Sequence, residues 1–260
     1  MSWSAKRQLF IIFLLCLFFG SIFGVYYYFN IRVPVSCTDT KQNQGELDVD
    51  CGGPCVNICE SEILPLTVEW ARSFKISNGK YDAAAVIVNR NNYLGISKFK
   101  YRLSLYDSRN VHVAEKDGEI FINPNEKVVI FESSIDTGER EATRAILEYN
   151  EEKLLQGWVR VGDLSLKPRI SVGNEKLTEG ARPSLSAEIT NDSPSDIRNI
   201  DVSAVVYDEN NNAMAVSSTF VSILSRGETQ TVTFTWPEPF KNKPKTKDIL
   251  PRIDYVSIQK

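Results

Sequence analysis

The chain has 260 residues, 42% of them hydrophobic and 24% charged, with a formal net charge of −3. That is apolar material enough for two modest packed domains, and the mild acidity argues against general nucleic-acid binding. One histidine, His112, stands in the whole sequence, which removes most metal-hydrolase and Ser-His-Asp schemes.

Residues 9–29, LFIIFLLCLFFGSIFGVYYYF, carry no charge, and as a helix they would cover roughly 30 Å, one bilayer core. Lys6 and Arg7 precede the run, only Arg32 closely follows it, and Tyr26, Tyr27 and Tyr28 sit at its far end, where amphipathic rings favour the headgroup layer. The positive-inside rule then makes residues 1–8 a cytoplasmic tail and 9–29 a transmembrane helix. Everything after it lies outside the cell membrane, in a single-pass arrangement. A cleaved signal peptide needs small residues one and three places before the cut. Gly24, Gly20 and Ser21 have Ile22, Phe18 and Phe19 at the other position, so the run reads as a retained anchor. Cys16 follows Leu15 where a lipoprotein wants a small residue, and reads as a buried thiol.

Residues 30–63 form an acidic, cysteine-rich collar. Cys37, Cys51, Cys55 and Cys59 fall within 23 residues, and an even, clustered set in an oxidising compartment points to two disulfides, with three pairings open. Zinc is the alternative, but Gly52, Gly53 and Pro54 interrupt the spacing that tetrathiolate sites use. Asp39, Asn43, Glu46, Asp48 and Asp50 are hard oxygen donors at short intervals on an irregular loop, the ligand type that calcium takes. The glycine and the twelfth position do not match an EF-hand, and the competing reading is that these side chains cap tight turns. The stretch resembles a short module of prokaryotic cell-surface proteins, roughly C-x-D-G-x-x-N-G-x-E-T-x-x-D-C-G-G-x-C-x-x-C. Cys37, Asp39, Asn43, Glu46, Asp50, Cys51, Gly52, Gly53, Cys55 and Cys59 match it; Thr40, Gln44-Gly45, Leu47 and one extra residue before Cys59 depart from it. The resemblance implies a neighbour of anchors or sandwich domains, without an activity.

From residue 64 the pattern turns to short runs rich in Val, Ile, Tyr, Phe and Thr. Predicted strands are 66–73, 81–89, 98–106, 111–114, 119–122, 127–133, 142–148 and 154–161. In 98–106, Phe99, Tyr101, Leu103 and Leu105 alternate with Lys98, Lys100, Arg102 and Ser104, a period of two with one face buried. A short helix is admissible only at 138–144. A second set follows at 164–172, 184–190, 201–207, 213–217, 219–224, 229–236 and 253–258. The two sets align at a shift of 101–102 residues: Ile87-Val88-Asn89 falls on Ile189-Thr190-Asn191, Leu105-Tyr106-Asp107 on Val206-Tyr207-Asp208, and Pro124-Asn125-Glu126 on Arg226-Gly227-Glu228. One supersecondary unit is used twice, and the expected fold class is mainly β: two tandem Ig-like antiparallel β-sandwiches, 64–163 and 164–260, behind the helix and the collar. The Leu-Tyr-Asp and Val-Tyr-Asp strand ends resemble the FxLYD-type sandwich and its relatives, which implies a seven-stranded Greek key and spacer, adhesion or ligand-presenting roles.

Sequence signals for catalysis are absent: there is no phosphate-cradling, dinucleotide or nucleophile-elbow motif, and Glu151-Glu152 are adjacent on a turn. His112 lies on the polar phase of a short strand. Trp70, Trp158, Trp236 and Tyr106 suit a core or, alternatively, a sugar-stacking platform. Four lysines alternate through Phe240-Lys241-Asn242-Lys243-Pro244-Lys245-Thr246-Lys247, the composition of a solvated loop or of a contact with an anionic surface. The chain therefore reads as a non-catalytic, membrane-anchored interaction or scaffold protein whose partner is another envelope protein or surface polymer. The alternative is a carbohydrate-binding or accessory subunit of an envelope enzyme or secretion complex; a scaffold buries its tryptophans, whereas a glycan binder exposes them.

Overall fold

This computed structural model describes residues 3–30, 36–162 and 167–257. Its contacts divide the chain into two units, Met1–Cys59 and Glu60–Lys260, each described by itself. In the first, helix α1 spans Trp3–Asn30. It is long and apolar enough to cross a membrane, and none of its apolar window is buried. A helix apolar all round has no polar face for water and calls for nonpolar surroundings.

The collar is closed by disulfides Cys37–Cys55 and Cys51–Cys59, one of the three pairings the sequence left open. Its backbone turns repeatedly through the left-handed region, at Thr40, Gln44, Gly45, Asp50, Gly52 and Gly53. Gly53 has a further constraint, since a Cβ there would lie 2.1 Å from the Gly45 carbonyl oxygen. This close approach accounts for the second glycine of the Asp-Cys-Gly-Gly core.

Among the described residues, the second unit holds four antiparallel sheets. Strands β1 (Thr67–Ser77), β2 (Lys80–Asn89) and β5 (Glu126–Asp136) form one, in the order β1-β2-β5. Facing it, β4 (His112–Ile122), β3 (Leu94–Tyr106) and β6 (Arg144–Glu148) pair in the order β4-β3-β6, and the short β7 (Trp158–Arg160) also pairs with β3. The second half repeats the plan. Strands β8 (Ile170–Thr178), β9 (Ser184–Asn191) and β12 (Thr229–Thr235) make one sheet, and β10 (Ile197–Asp208), β11 (Ala213–Leu224) and β13 (Pro244–Arg252) the other. Between the first pair of sheets lie Ile87, Phe99, Leu103, Leu105, Ile122 and Ile130, all fully buried. Between the second pair lie Leu185, Ile189, Ile200, Val202, Leu224 and Phe234.

Hydrogen bonds reproduce the repeat residue by residue. Asn89 Nδ2 donates to the Leu94 and Asn123 carbonyls, and its Oδ1 accepts from Asn91 N. Asn191 Nδ2 donates to the Ser195 and Leu224 carbonyls, and its Oδ1 accepts from Ser193 N. Asp107 Oδ1 accepts from the backbone of Arg109 and Val111, as Asp208 Oδ1 does from Asn210 and Asn212. Glu126 and Glu228 reach back to the backbone N–H of Asn123 and Ser225.

Several element bounds differ from expectation. The runs 111–114 and 119–122 are one strand, β4, and 213–217 and 219–224 are one strand, β11. Segment 154–161 is not a single strand: helix α2 (Glu151–Leu155) comes first, because Asn150 Oδ1 caps Lys153 N and Glu151 and Glu152 lie in the helix's positive first turn. The helix admitted at 138–144 is instead a turn at 138–139, with Gly138 at φ +63°, followed by irregular chain up to the start of β6 at Arg144. The last strand is β13, which pairs with β10, and 253–257 is irregular apart from a final turn. The start of the predicted strand 164–172 and the boundary at 163/164 lie outside the described residues.

Candidate functional site

A strand buried on one face alternates; β2 and β10 do not. From Ala83 to Ile87 and from Val202 to Tyr207, every residue is buried, because each strand has a core on both sides. Ala84 and Val86 of β2, with Val129 of β5, pack against Val205 and Tyr207 of β10 and Ala213 and Val216 of β11, while Trp70, Phe74, Phe131 and Leu250 close the rim. Thus β1-β2-β5 of the first sandwich lies by its outer face against β11-β10-β13 of the second. The missed signal in the sequence is the absence of alternation in Ala-Ala-Ala-Val-Ile and Val-Ser-Ala-Val-Val.

Polar contacts fix this interface in one register. Arg252, 4% exposed, reaches Glu126 with Nε at 3.0 Å from Oε1 and Nη2 at 3.0 Å from Oε2, and Nη2 also donates to the Phe121 carbonyl. Its guanidinium carbon stands 4.3 Å from the Phe121 ring centroid. The following residues strap the second sandwich to the first. Asn123 Nδ2 donates to the Ile253 carbonyl and the Tyr255 hydroxyl to the Pro124 carbonyl, while Tyr255 and Val256 pack with Val161. Burial raises the Tyr255 phenol above its usual range. Lys127 reaches across to Asp248 at 3.2 Å, and the Tyr207 hydroxyl donates to the same carboxylate.

Beside the interface a groove of about 530 Å³ opens between β1, β11 and the loop before β13. Phe74, Met214, Trp236 and Phe240 supply its apolar surface, and Arg72, Lys75, Arg144 and Lys241 its cations. Arg72 is held by Asn212 Oδ1 and the Ala213 carbonyl, and Lys75 is paired with Glu141. Trp236 is buried with its Nε1 donating to the Val216 carbonyl, and Trp158 is equally buried. Trp70 and Tyr106 are half-buried, Trp70 at the rim of the inter-sandwich cluster. His112 is exposed, with Nε2 3.3 Å from Glu115.

In the collar, the predicted oxygen ligands are spent mostly on backbone. Asp50 accepts from the N–H of Asp39 and Thr40, Asp39 from Lys41 N and Asn43 Nδ2, and Asp48 from Val49 N. Glu46, 7% exposed, accepts from Asn43 N and has Oε1 3.0 Å from Cys55 Sγ, a contact and not a hydrogen bond because the disulfide sulfur carries no proton. Among the described residues, the one group of three His, Cys, Asp or Glu with ligand atoms within 4.8 Å of one another is Cys37, Glu46 and Cys55, whose sulfurs are joined. Asp39, Asn43, Glu46, Asp48 and Asp50 are thus brought into one loop, where Asp39, Glu46, Asp48 and Asp50 accept hydrogen bonds from groups of the collar itself. Asn43 Oδ1 is buried without a partner.

Comparison with known protein families and with curated proteins finds no match. Among solved structures, the chain is similar to a β-glucuronidase from glycoside hydrolase family 2 (11% identity, TM-score 0.20), covering 67% of this chain and 24% of that one. Red sea bream transglutaminase follows at 10% identity and TM-score 0.21, over 73% of this chain and 29% of that one. A Parabacteroides merdae β-glucuronidase gives 14% and 0.19, over 66% and 27%. The chain thus spans under a third of the length of each, and likeness at this level carries neither fold nor activity across.

Proposed function

We propose that this chain is a single-pass, membrane-anchored extracytoplasmic protein whose tandem sandwiches serve as a rigid interaction or scaffold module without catalysis of its own. The observation that carries the reading is the inter-sandwich interface: two strands buried on both faces, locked by Arg252–Glu126 and the 253–256 strap. A flexible tether would need no such interface, whereas a presenting surface gains from holding both sandwiches in one geometry. The apolar α1 with Lys6 and Arg7 at its start supports an anchor with the N-terminus inside. Two collar disulfides support an oxidising compartment. The burial of Trp158 and Trp236 favours the scaffold over an aromatic glycan platform in the groove.

Protease added to intact spheroplasts tests the topology: residues beyond the helix should be digested while a small membrane-held fragment survives. A mature N-terminus at or beyond residue 21 would overturn it. In-membrane crosslinking through a photoreactive residue at Phe240 tests the scaffold role, with a discrete, reproducible envelope adduct as the expected result.

A further inference from the structure

Strand β1 is an edge strand, and the groove beside it runs along that edge. Neighbouring residues of a strand point to opposite faces, yet six in succession, Ala71 to Ile76, line the groove. What the six share is the strand's outer rim of backbone N–H and C=O groups. Among the described residues, the backbone of 70–76 bonds only to β2. The 141–142 chain reaches this stretch through side chains of β1, by Lys75 with Glu141 and by the Ser73 hydroxyl with the Ala142 carbonyl. The other edge strand bordering the groove is already engaged: β11 has its Ala213 carbonyl taken by Arg72 and its Val216 carbonyl by Trp236.

An unpaired edge is ordinary in a sandwich, and proteins commonly blunt it with charges and bulges. The second sandwich does so. At the shift of 102, β8 carries Val172, Asn174 and Lys176 where β1 carries Trp70, Arg72 and Phe74. Its register breaks between Gly173 and Lys176, with Asn174 at φ +49°, a bulge that disrupts further pairing. On β1 the register runs unbroken from Trp70 to Lys75, with two aromatic residues in it. The same strand is protected in one half and open in the other.

A rim of unpaired amides and carbonyls calls for an extended chain, and the groove adds the side-chain chemistry. Phe74, Met214, Trp236 and Phe240 offer apolar surface to every second residue of an added strand. Arg72 spends its bonds on Asn212 Oδ1 and the Ala213 carbonyl, both uncharged, and Arg144 lies over the Tyr106 ring. Among the described residues neither guanidinium pairs with a carboxylate, the partner that it matches best. Of the groove's own acids, Asp208 is taken by its turn and by Asn242, and Asp82 by the Ser134 N–H, while Glu238 is exposed. Residues 237–242 wall the remaining side, which leaves room for one chain and not for the body of a second copy.

We infer that the β1 edge and this groove take up an extended, acidic segment of a partner protein as an added strand. Its apolar side chains lie on Phe74 and Phe240, and its carboxylates face Arg72 and Arg144. The inference rests on the interaction-module reading and names the chemistry of the partner.

The probe is the capped peptide TEVEFEVET, fluorescently labelled and titrated with the full chain in phospholipid nanodiscs. Saturable binding by fluorescence polarisation is expected. Two further peptides carry methyl groups on alternate backbone nitrogens, one set each, so that each lacks the donors of one edge. At least one of them should bind about tenfold more weakly, and so should the lysine counterpart TKVKFKVKT. Phe74→Lys, which installs the residue of the equivalent β8 position, should abolish binding with the unfolding midpoint unchanged; the methylated peptides decide the matter on the parent chain if that variant is unstable. No binding of TEVEFEVET, parent-like binding of both methylated peptides or of the lysine peptide, or unchanged binding by folded Phe74→Lys would overturn the inference. So would a dimer of the full chain that Phe74→Lys dissolves, since the edge would then belong to a second copy. Protease accessibility on spheroplasts reads out the topology independently, so failure of this inference and failure of the anchored reading are separable.

Discussion

Asn89 and Asn191 show how much of the fold is fixed by single side chains. Each is buried at the end of a strand, and each spends its amide on two carbonyls that would otherwise face the core unpaired. The aspartates at the β3–β4 and β10–β11 turns act similarly, each gathering backbone N–H groups while Asn110 and Asn211 take φ near +61°. The backbone N–H of Val111 chiefly holds the Asp107 carboxyl below its usual range, and that of Asn212 does so for Asp208. A folded pKa depressed in this way contributes stability that is present above the unfolded value, about 3.9, and is lost as pH falls through the folded one. The chain should therefore weaken progressively below about pH 4, and Asp107→Asn/Asp208→Asn should flatten that loss. Urea denaturation midpoints between about pH 3 and pH 6 check it; parallel curves for parent and variant would remove the turn aspartates from the account.

At the scale of elements, the sequence was readable wherever one physical signal acted alone. The uncharged run 9–29 could only be a long apolar helix, and strict alternation in 98–106 could only be a half-buried strand. Where two signals competed, the reading failed. Asn150-Glu151-Glu152 is a helix start hidden in a segment whose Leu154, Val159 and Val161 read as strand. Lys243 and Lys245 look like loop, yet β13 begins at Pro244, and lysines along an edge strand are a means of discouraging edge-to-edge pairing. The collar was legible as a disulfide knot but not in its pairing, because cysteine spacing says nothing of which sulfurs the turns bring together. Its acids were legible as oxygen donors, while their backbone acceptor role depends on left-handed turns at Thr40 and Asp50 that the sequence does not announce. Since those hydrogen bonds and two disulfides close the collar, it should remain folded when divalent ions are removed. Thiol counting on the denatured, unreduced protein after chelator treatment should find only Cys16, and Cys37, Cys51, Cys55 or Cys59 appearing as a free thiol would refute the pairing. Each bridge contributes roughly 2–3 kcal/mol to a segment with little apolar core. Asp50→Ala, which frees two N–H groups, should cost about 1–2 kcal/mol more and show as faster reduction of the collar by dithiothreitol.

For the molecule as a whole, the unforeseen feature is the stacking of two sandwiches through unlike faces, and its consequence can be measured. A repeat that docks head to tail leaves one face of each kind open, and here both open faces are polar, one by ion pairs and one by hydroxyls. That composition suits the ends of a two-module stack, as capping repeats do in longer arrays. Rigidity then depends on the single interior interface, where the Arg252 side chain is 3% and the Glu126 side chain 14% exposed. Removing one partner of a buried pair strands the other, which costs about 3–5 kcal/mol, whereas replacing both with apolar residues is often neutral. Arg252→Ala should accordingly weaken the chain by that amount and split denaturation into two steps, with Trp158 reporting the first sandwich and Trp236 the second. Arg252→Met with Glu126→Leu should restore much of the loss and rejoin the two steps. A single transition in Arg252→Ala within about 0.5 kcal/mol of the parent would mean that apolar contacts alone hold the sandwiches together, and that the ion pair sets their register without stabilising it.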